Sequence, residues 1–116
     1  MNYLEATQEI AEVIPDLQSK SKEINNSYDL IITFTNSIKM MIQNNDNPIL
    51  LKSLKKMNLI YKNGDHLLRS AIENSFIYSL DSCTLFCSTT DRNNILRTLS
   101  PDLKKVYAKQ IYSHGI

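Results

Sequence analysis

The sequence predicts an all-α fold in a single compact domain spanning residues 1–116. The chain has only two glycines, whereas an all-β domain normally needs more of them in its turns. Apolar residues recur at spacings of three and four along most of the chain, which is the helical period. The apolar fraction of 42% and the charged fraction of 22% are typical of a globular protein and argue against disorder. We therefore expect five or six helices built around a central αα-hairpin.

The first part of the chain predicts three helices. The segment "NYLEATQEIAEVI" places its apolar residues on one side, and Pro15 ends that helix or starts a new one. "PDLQSKSKEI" predicts a short second helix over 15–24, before "NNS" interrupts it. The segment 28–43, "YDLIITFTNSIKMMIQ", contains β-branched and aromatic residues that suit a strand. Its apolar residues nevertheless follow the helical period over about three turns, which favours a buried helix.

The segment "NPILLKSLKKMNLIYKNGD" predicts the first helix of the hairpin. Asn47 is the expected N-cap and Pro48 the first helical residue. We expect Gly64 to close the helix in the left-handed conformation and Asp65 to cap the next helix, over 66–80. The apolar side of the first helix is formed by Leu50, Leu51, Leu54, Met57, Ile60 and Tyr61.

The last third of the chain predicts two further helices. "DSCTLFCSTTDR" either extends the preceding helix or forms a connection, and the sequence leaves both open. Thr89 or Thr90 is the expected N-cap of "DRNNILRTL". Ser100 followed by Pro101 predicts the start of the last helix. Its apolar stripe is expected to consist of Leu103, Val106, Tyr107, Gln110 and Ile111.

Several kinds of chemistry find no support in the sequence. Cys83 and Cys87 are the only cysteines, and a helical pair four residues apart is poorly placed for a disulfide. Together with His66 and His114 they lack the ligand spacing of a structural zinc site. There is no nucleophile-elbow, phosphate-loop or zinc-protease motif. We therefore expect no catalytic residue, no metal, no cofactor and no enzymatic activity, and reduced thiols in a cytoplasmic protein.

The charge balance and the apolar segments restrict the partners. The formal net charge is +1, which gives no strong field for nucleic acid or anionic lipid. The apolar segments fall short of the roughly 20 residues of a membrane span, and no leader sequence is visible. A glycine between two helices is also found in helix-turn-helix proteins, in which the helix after Asp65 would contact bases. Nucleic-acid binding therefore stays as the alternative function.

One polar stripe lies on the predicted helix over 66–80. Arg69 and Glu73 are four residues apart and His66 is one turn before Arg69, so the three share one side of the helix. One interpretation is a surface ion pair worth at most about 0.5 kcal/mol. The other is that Glu73, close to a broad apolar face, is partly buried and bonds a backbone amine or a tyrosine hydroxyl. Asp65, Arg69 and Glu73 are thus candidate structural polar residues.

"GDHLLRSAIENSFIYSL" and "LSPDLKKVYAKQI" are similar to a family of small helical bacterial proteins of unknown function. The family pattern has a Gly-Asp turn, a helix with "A(I/V)E..F(I/L)" and a C-terminal "LP..L...Y". The matching residues are Gly64, Asp65, Ala71, Ile72, Glu73, Phe76, Ile77, Leu99, Pro101, Leu103 and Tyr107. The sequence departs from the pattern where Ser100 separates Leu99 from Pro101. The resemblance covers the second half of the chain and implies an all-helical domain with no known catalytic residue. Some such proteins look like antidotes that bacteria keep beside secreted toxins.

The expected function is protein binding, and a toxin-neutralising immunity protein is one form of it. The first predicted helix has an acidic side formed by Glu5, Glu9 and Glu12, which we call the acidic patch. Carboxylates on a surface can attract and cover a basic active site. The same glutamates are equally explained as a solvated helix face. The acidic patch is therefore a candidate surface for binding a protein partner.

Overall fold

A computed structural model describes residues 1–17 and 24–114 of the chain. The described part contains six helices and no strand, which confirms the all-α prediction. Helix α1 is Tyr3–Ala11, α2 is Ser27–Gln43 and α3 is Asn47–Asn63. Helix α4 has three consecutive segments, His66–Ala71, Ile72–Ile77 and Tyr78–Cys83; α5 is Thr89–Thr98 and α6 is Pro101–His114. Most of the helix predicted over 15–24 lies outside the described residues.

Asparagine caps begin the first two helices. The Asn2 side chain accepts from the Glu5 backbone N–H at 2.9 Å, and the Glu5 carboxylate accepts from the Asn2 backbone N–H at 3.2 Å. This reciprocal pair satisfies two of the N–H groups that a helix start leaves open. Asn26 caps α2 by accepting from Asp29 N–H at 2.8 Å. Helix α2 runs through the whole segment with strand-like residues, because its apolar period buries one continuous side.

The core lies between α2, α3 and α4, with α1, α5 and α6 packed around them. The largest fully buried side chains are Phe34, Phe76, Ile10, Leu17, Leu30, Ile31, Ile38, Leu54, Met57, Ile60, Leu68 and Ile72. Two residues expected on apolar sides lie outside this core: Leu4 is 66% exposed and Leu51 is 45% exposed. Leu4 projects away from the core because it is about 200° around α1 from the buried Ala6.

The hairpin of α3 and α4 forms as expected, but the glycine at its corner is not there to adopt the left-handed conformation. Gly64 has φ −72° and ψ 155°, so the prediction of a left-handed glycine is wrong. A Cβ atom at Gly64 would lie 2.4 Å from the Ile60 carbonyl oxygen and 3.0 Å from Leu68 Cβ. Glycine is therefore required by close packing between the corner and both helices. The predicted N-cap of α3 is also wrong by one residue, since Asp46 is in that position and Asn47 begins the helix.

Helix α4 changes its winding in the middle. Residues Ile72–Ile77 form a π-helical segment, and the Glu73 carbonyl accepts a hydrogen bond from Gln110 Nε2 of α6 at 2.8 Å. Short π segments of this kind often occur at functional sites. Helix α4 then continues to Cys83, and a turn leads to Ser88, which caps α5 in place of Thr89 or Thr90.

The predicted start of α6 is confirmed. Ser100 Oγ accepts from the Leu103 backbone N–H at 3.3 Å. The link between α5 and α6 is held by Asn58 of α3, which donates to the Thr98 carbonyl at 2.9 Å and accepts from Ser100 N–H at 3.0 Å. In the predicted stripe of α6, Leu103 is buried, whereas Ile111 is 39% exposed. None of the described helices is long and apolar enough to cross a membrane.

Candidate protein-binding surfaces

The acidic patch is partly neutralised within the molecule. Glu9 and Glu12 each accept a hydrogen bond from Lys56 Nζ of α3 at 2.5 Å. These two carboxylates, Glu12 first, raise the pKa of Lys56, which keeps it charged. Glu5 is engaged at its carboxylate by the cap of α1. The structure therefore places Glu5 and Glu9 on α1 and Glu12 at its C-cap, with the carboxylates of Glu9 and Glu12 sharing one ammonium group.

The polar stripe on α4 is arranged differently from the expected ion pair. Arg69 lies over the ring of Tyr61 in α3, 4.7 Å from the ring centroid, and pairs with no carboxylate among the described residues. Glu73 is half-buried, and the bond it makes with α6 is through its backbone carbonyl. Asp65 caps α4 by accepting from Leu68 N–H at 3.0 Å, whereas His66 is exposed. Asp65 thus caps α4, and Arg69 contacts α3 through Tyr61.

A surface groove runs between α2 and α4, and we call it the α2–α4 groove. It has two stretches of about 240 Å³ each, which share Tyr28 and Asn74. The first stretch is lined by Asn26, Ser27, Tyr28, Leu67, Ser70, Ala71 and Asn74. The second is lined by Tyr28, Ile32, Thr35, Asn36, Asn74, Ser75, Tyr78 and Ser79. The start of α2 faces the start of α4, so the two helices run parallel, and no charged side chain is among the described residues that line the groove.

Two hydroxyl groups in the α2–α4 groove have no hydrogen-bond partner among the described residues. They are Thr35 Oγ1 and Ser75 Oγ, and both atoms are buried. Thr35 is only 7% exposed, and Ser75 belongs to the π segment of α4. A buried hydroxyl without a partner costs about 1–3 kcal/mol, so such groups are uncommon in folded proteins. The second stretch of the groove therefore has two buried hydroxyl groups at its base whose hydrogen bonding is unsatisfied.

The turn over residues 84–88, which joins α4 to α5, presents two apolar side chains to solvent. Leu85 is 69% exposed and Phe86 is 96% exposed. The turn itself is held by hydrogen bonds, because Thr84 Oγ1 donates to the Leu80 carbonyl at 2.9 Å and Cys87 N–H donates to the Thr84 carbonyl at 3.1 Å. Leu85 and Phe86 thus project into solvent from a hydrogen-bonded turn.

A polar cluster lies beside the 84–88 turn. Asp81 of α4 accepts from Arg92 Nη2 of α5 at 2.7 Å and from the Tyr107 hydroxyl of α6. The same Arg92 nitrogen donates to the Tyr107 oxygen at 2.9 Å. Burial, and then the Asp81 carboxylate, raise the pKa of Tyr107. The cluster ties the end of α4 and the start of α5 to the middle of α6.

Both cysteines are free and half-buried: Cys83 is the last residue of α4, and Cys87 lies within the 84–88 turn. Of the two alternatives left open for "DSCTLFCSTTDR", the helix continues to Cys83 and a connection follows it, so the two cysteines do not share a helical face. Burial raises the pKa of the Cys87 thiol, which keeps it protonated. No group of three or more potential metal ligands occurs in the part of the chain that the structure describes.

Sequence reasoning missed both the α2–α4 groove and the 84–88 turn. The groove arises between two helices that are far apart in sequence, and its lining residues have no motif. The turn lies in the segment left open between helix and connection. Two adjacent apolar residues in a potential connection, Leu85 and Phe86, were the one indication available.

The sequence matches the family model described as "Domain of unknown function (DUF7674)" over residues 7–113. No curated protein and no solved structure matches the chain. The match extends over most of the chain and is wider than the resemblance noted in its second half. The chain belongs to this family of unknown function, DUF7674.

Proposed function

We propose that the protein acts by binding another protein, and that the 84–88 turn is the main point of contact. The observation that carries the proposal is the 96% exposure of Phe86 on a hydrogen-bonded turn. Monomeric proteins expose scattered apolar residues, but an adjacent Leu and Phe on an ordered turn form a compact apolar anchor. Aromatic side chains that enter a partner's pocket supply a large share of binding energy in protein interfaces.

The energetic argument rests on what the anchor would gain on binding. Fully burying a leucine or phenylalanine side chain stabilises a complex by about 1.5–3 kcal/mol relative to leaving it in water. The backbone of the turn is held by internal hydrogen bonds, which reduces the backbone entropy lost when it docks. Leu85 and Phe86 are far more exposed than the leucines and phenylalanines of the core, so removing them is expected to cost little folding energy.

Charge around the anchor indicates the kind of partner. The carboxylates that flank the anchor in sequence are Asp81, which is paired with Arg92, and Asp91 in the first turn of α5. We propose a partner whose apolar pocket has a basic rim, because opposite charges speed association and fix orientation. A basic protein neutralised in the cytoplasm, such as a toxin held by its immunity protein, is the finer form of this proposal. The acidic patch is proposed as a second contact, weakened by the pairing of Glu9 and Glu12 with Lys56.

The test begins with a photo-crosslinking amino acid at position 86, which identifies the protein that contacts the turn in the native host. With that partner purified, Leu85→Ala/Phe86→Ala is expected to weaken binding about 30-fold or more. Leu4→Ala is the matched control, because Leu4 is also 66% exposed but lies on α1. It should leave affinity within about threefold.

Two results would contradict this proposal. One is a partner whose affinity is the same for the wild type and for the Leu85→Ala/Phe86→Ala variant. The other is affinity for duplex nucleic acid that falls steeply with salt, which would favour the alternative function. Replacing Glu5, Glu9 and Glu12 by Gln tests the acidic patch separately: unchanged partner binding would remove it from the interface.

A further inference from the structure

We propose that the cavity between α4 and α6 binds an organic cation through a guanidinium group. This α4–α6 cavity is lined by residues of α4 between Ile77 and Ser82 and by residues of α6 between Tyr107 and Ile111. Its lining does not include Leu85 or Phe86, so the inference is independent of the proposed function.

The α4–α6 cavity is large enough for a small molecule. Its volume is about 490 Å³, which lies within the range of roughly 300–1,000 Å³ that is typical of small-molecule sites. The two stretches of the α2–α4 groove, at about 240 Å³ each, fall below that range. Tyr78 and Ile111 supply exposed apolar surface to the cavity, and Asp81 supplies a carboxylate.

Most of the hydrogen-bond donors that line the cavity are engaged within the protein. The Tyr107 hydroxyl donates to Asp81 Oδ1, and burial raises the pKa of Tyr107, which keeps that proton in place. Ser82 Oγ donates to a backbone carbonyl three residues earlier in α4 at 3.0 Å. Gln110 Nε2 gives one of its two hydrogens to the Glu73 carbonyl at 2.8 Å. A ligand in the cavity must therefore bring its own donors.

Acceptor atoms in the same lining remain open. Arg92 and Tyr107 both bond to Asp81 Oδ1, so the second carboxylate oxygen, Oδ2, accepts no hydrogen bond from the described residues. Gln110 Oε1 also has no donor in the described part of the chain. A carboxylate can accept about four hydrogen bonds and an amide oxygen about two. An open carboxylate oxygen beside an open amide oxygen favours a cation with several N–H groups.

The surrounding charges are compatible with a further cation. Arg92 is not a lining residue, and its guanidinium is bound to the other carboxylate oxygen. Glu73 lies one turn before the cavity on α4 and forms no ion pair with a described residue, so this part of α4 has two carboxylates. Lys105 and Lys109 are about 160° around α6 from Tyr107, on the side away from the cavity.

Two tyrosine rings in the lining favour guanidinium over ammonium. A guanidinium is planar and weakly hydrated, so it stacks on aromatic rings while its edge donates hydrogen bonds. Arg69 over the ring of Tyr61 is an example within this protein. The π-helical segment of α4 also ends at Ile77 in the cavity wall and is bonded by Gln110, and such segments often occur at functional sites.

The test is a titration of the full chain with n-butylguanidinium, followed by NMR of the backbone amides and of the Gln110 side-chain amide. We expect saturable binding with a Kd of about 1 mM or tighter, and the largest shifts at Ser82 and Gln110. n-Butylurea has nearly the same shape but no charge, so it should bind about tenfold more weakly or less. No saturable binding, or equal binding of the two compounds, overturns the inference.

A pair of carboxylate variants locates the bound cation. Asp81→Asn keeps an acceptor for Arg92 and Tyr107 but loses the charge, so it should weaken binding of n-butylguanidinium about tenfold. Asp91→Asn is the matched control, because Asp91 is a carboxylate outside the cavity, and it should leave the Kd within about twofold. Equal Kd values for the two variants would contradict a site at Asp81.

A pair of tyrosine variants gives the same answer without touching the polar cluster. Tyr78→Ala removes one aromatic wall and should weaken binding about threefold, whereas Tyr28→Ala on α2 should not change it. Both tyrosines are more than half exposed, so both variants are expected to fold. Unchanged binding in Tyr78→Ala would contradict stacking in this cavity.

The guanidinium can belong to a free small molecule or to an arginine of a protein. An arginine tripeptide with blocked ends, compared with n-butylguanidinium, distinguishes the two sources: tighter binding of the peptide indicates a protein arginine, and tighter binding of n-butylguanidinium indicates a free cation. Leu85→Ala/Phe86→Ala should bind both compounds like the wild type. A failure of the proposed function is thereby distinguished from a failure of this site.

Discussion

The two corners at the ends of α4 perform the same connecting role in different ways. At the first corner, Gly64 packs closely against Ile60 and Leu68, and Asp65 N–H donates to the Met1 carbonyl at 2.8 Å. The Met1 backbone nitrogen in turn donates to the Asn63 carbonyl at 2.7 Å. This corner is therefore covered by the start of the chain and by core side chains.

The second corner, the 84–88 turn, satisfies its backbone locally and leaves its apolar side chains in solvent. The second corner is flanked by the polar Asp81–Arg92–Tyr107 cluster. The first corner, in contrast, is flanked by packed apolar side chains. The comparison separates two properties that a corner can have. Buried packing contributes to the stability of the fold, whereas outward apolar side chains are available for the recognition that we propose.

The largest effect is expected at Leu68, which is completely buried beside the first corner. Leu68→Ala should lower the free energy of unfolding by about 2–5 kcal/mol, because it removes buried methyl groups and leaves a cavity. Leu67→Ala, at the adjacent residue, is the matched control. Because Leu67 is 66% exposed, this variant should change the free energy of unfolding by no more than about 0.5 kcal/mol. Chemical denaturation at low protein concentration measures both. Equal losses in the two variants would show that this side of α4 is not packed as described.

A smaller loss is expected for Gly64→Ala. The new Cβ would lie 2.4 Å from the Ile60 carbonyl oxygen, so the corner must shift, which should cost about 1–3 kcal/mol. At the second corner, Phe86→Ala should change the free energy of unfolding by no more than about 0.5 kcal/mol. The difference between the two variants in thermal or denaturant unfolding tests the comparison of the corners. A Gly64→Ala protein as stable as the wild type would contradict the close approach.

The sequence predicted the helices well where an apolar period and a cap agreed. Ser100 before Pro101 located α6, and the period of 28–43 correctly outweighed its strand-like residues. The sequence correctly predicted that Gly64 follows the end of α3. It could not predict that close packing against Ile60 is what requires glycine there, because a sequence gives no distance between the corner and Ile60. The predicted N-cap of α5, Thr89 or Thr90, is wrong because three consecutive hydroxyl residues, Ser88 to Thr90, lie at the start of the helix and Ser88 is the one that caps it.

Surface features were harder to predict because they depend on where helices meet. Arg69 and Glu73 have the spacing of an ion pair, but Tyr61 of the neighbouring helix offers Arg69 an aromatic face instead. Glu9 and Glu12 appeared as part of a free acidic side until α3 placed Lys56 between them. The winding change at Ile72–Ile77 has no sequence motif, although Gln110 on α6 now supplies a reason for its position.

The smallest expected effect concerns pH at the second corner. Burial and the Asp81 carboxylate raise the pKa of Tyr107 above the ordinary value of 10.0. Above about pH 10 the unfolded chain therefore loses the tyrosine proton more readily than the folded protein does, so stability should fall as pH rises through this range. Tyr107→Phe removes the titrating hydroxyl and should flatten the fall, although it also loses the bonds to Asp81 and Arg92.

The measurement is the free energy of unfolding as a function of pH for the wild type and Tyr107→Phe, with tyrosinate absorbance followed in parallel. The slopes of the two curves are compared above pH 10, because the lost hydrogen bonds shift the whole curve whereas the titration changes its slope. Leu68→Ala serves as the control from the first corner: it lowers the curve without changing its slope, since packing there involves no titrating group. Parallel curves for the wild type and Tyr107→Phe would mean that the cluster does not couple Tyr107 ionisation to folding. The second corner would then be held by its local hydrogen bonds, and the flanking cluster would be incidental to it.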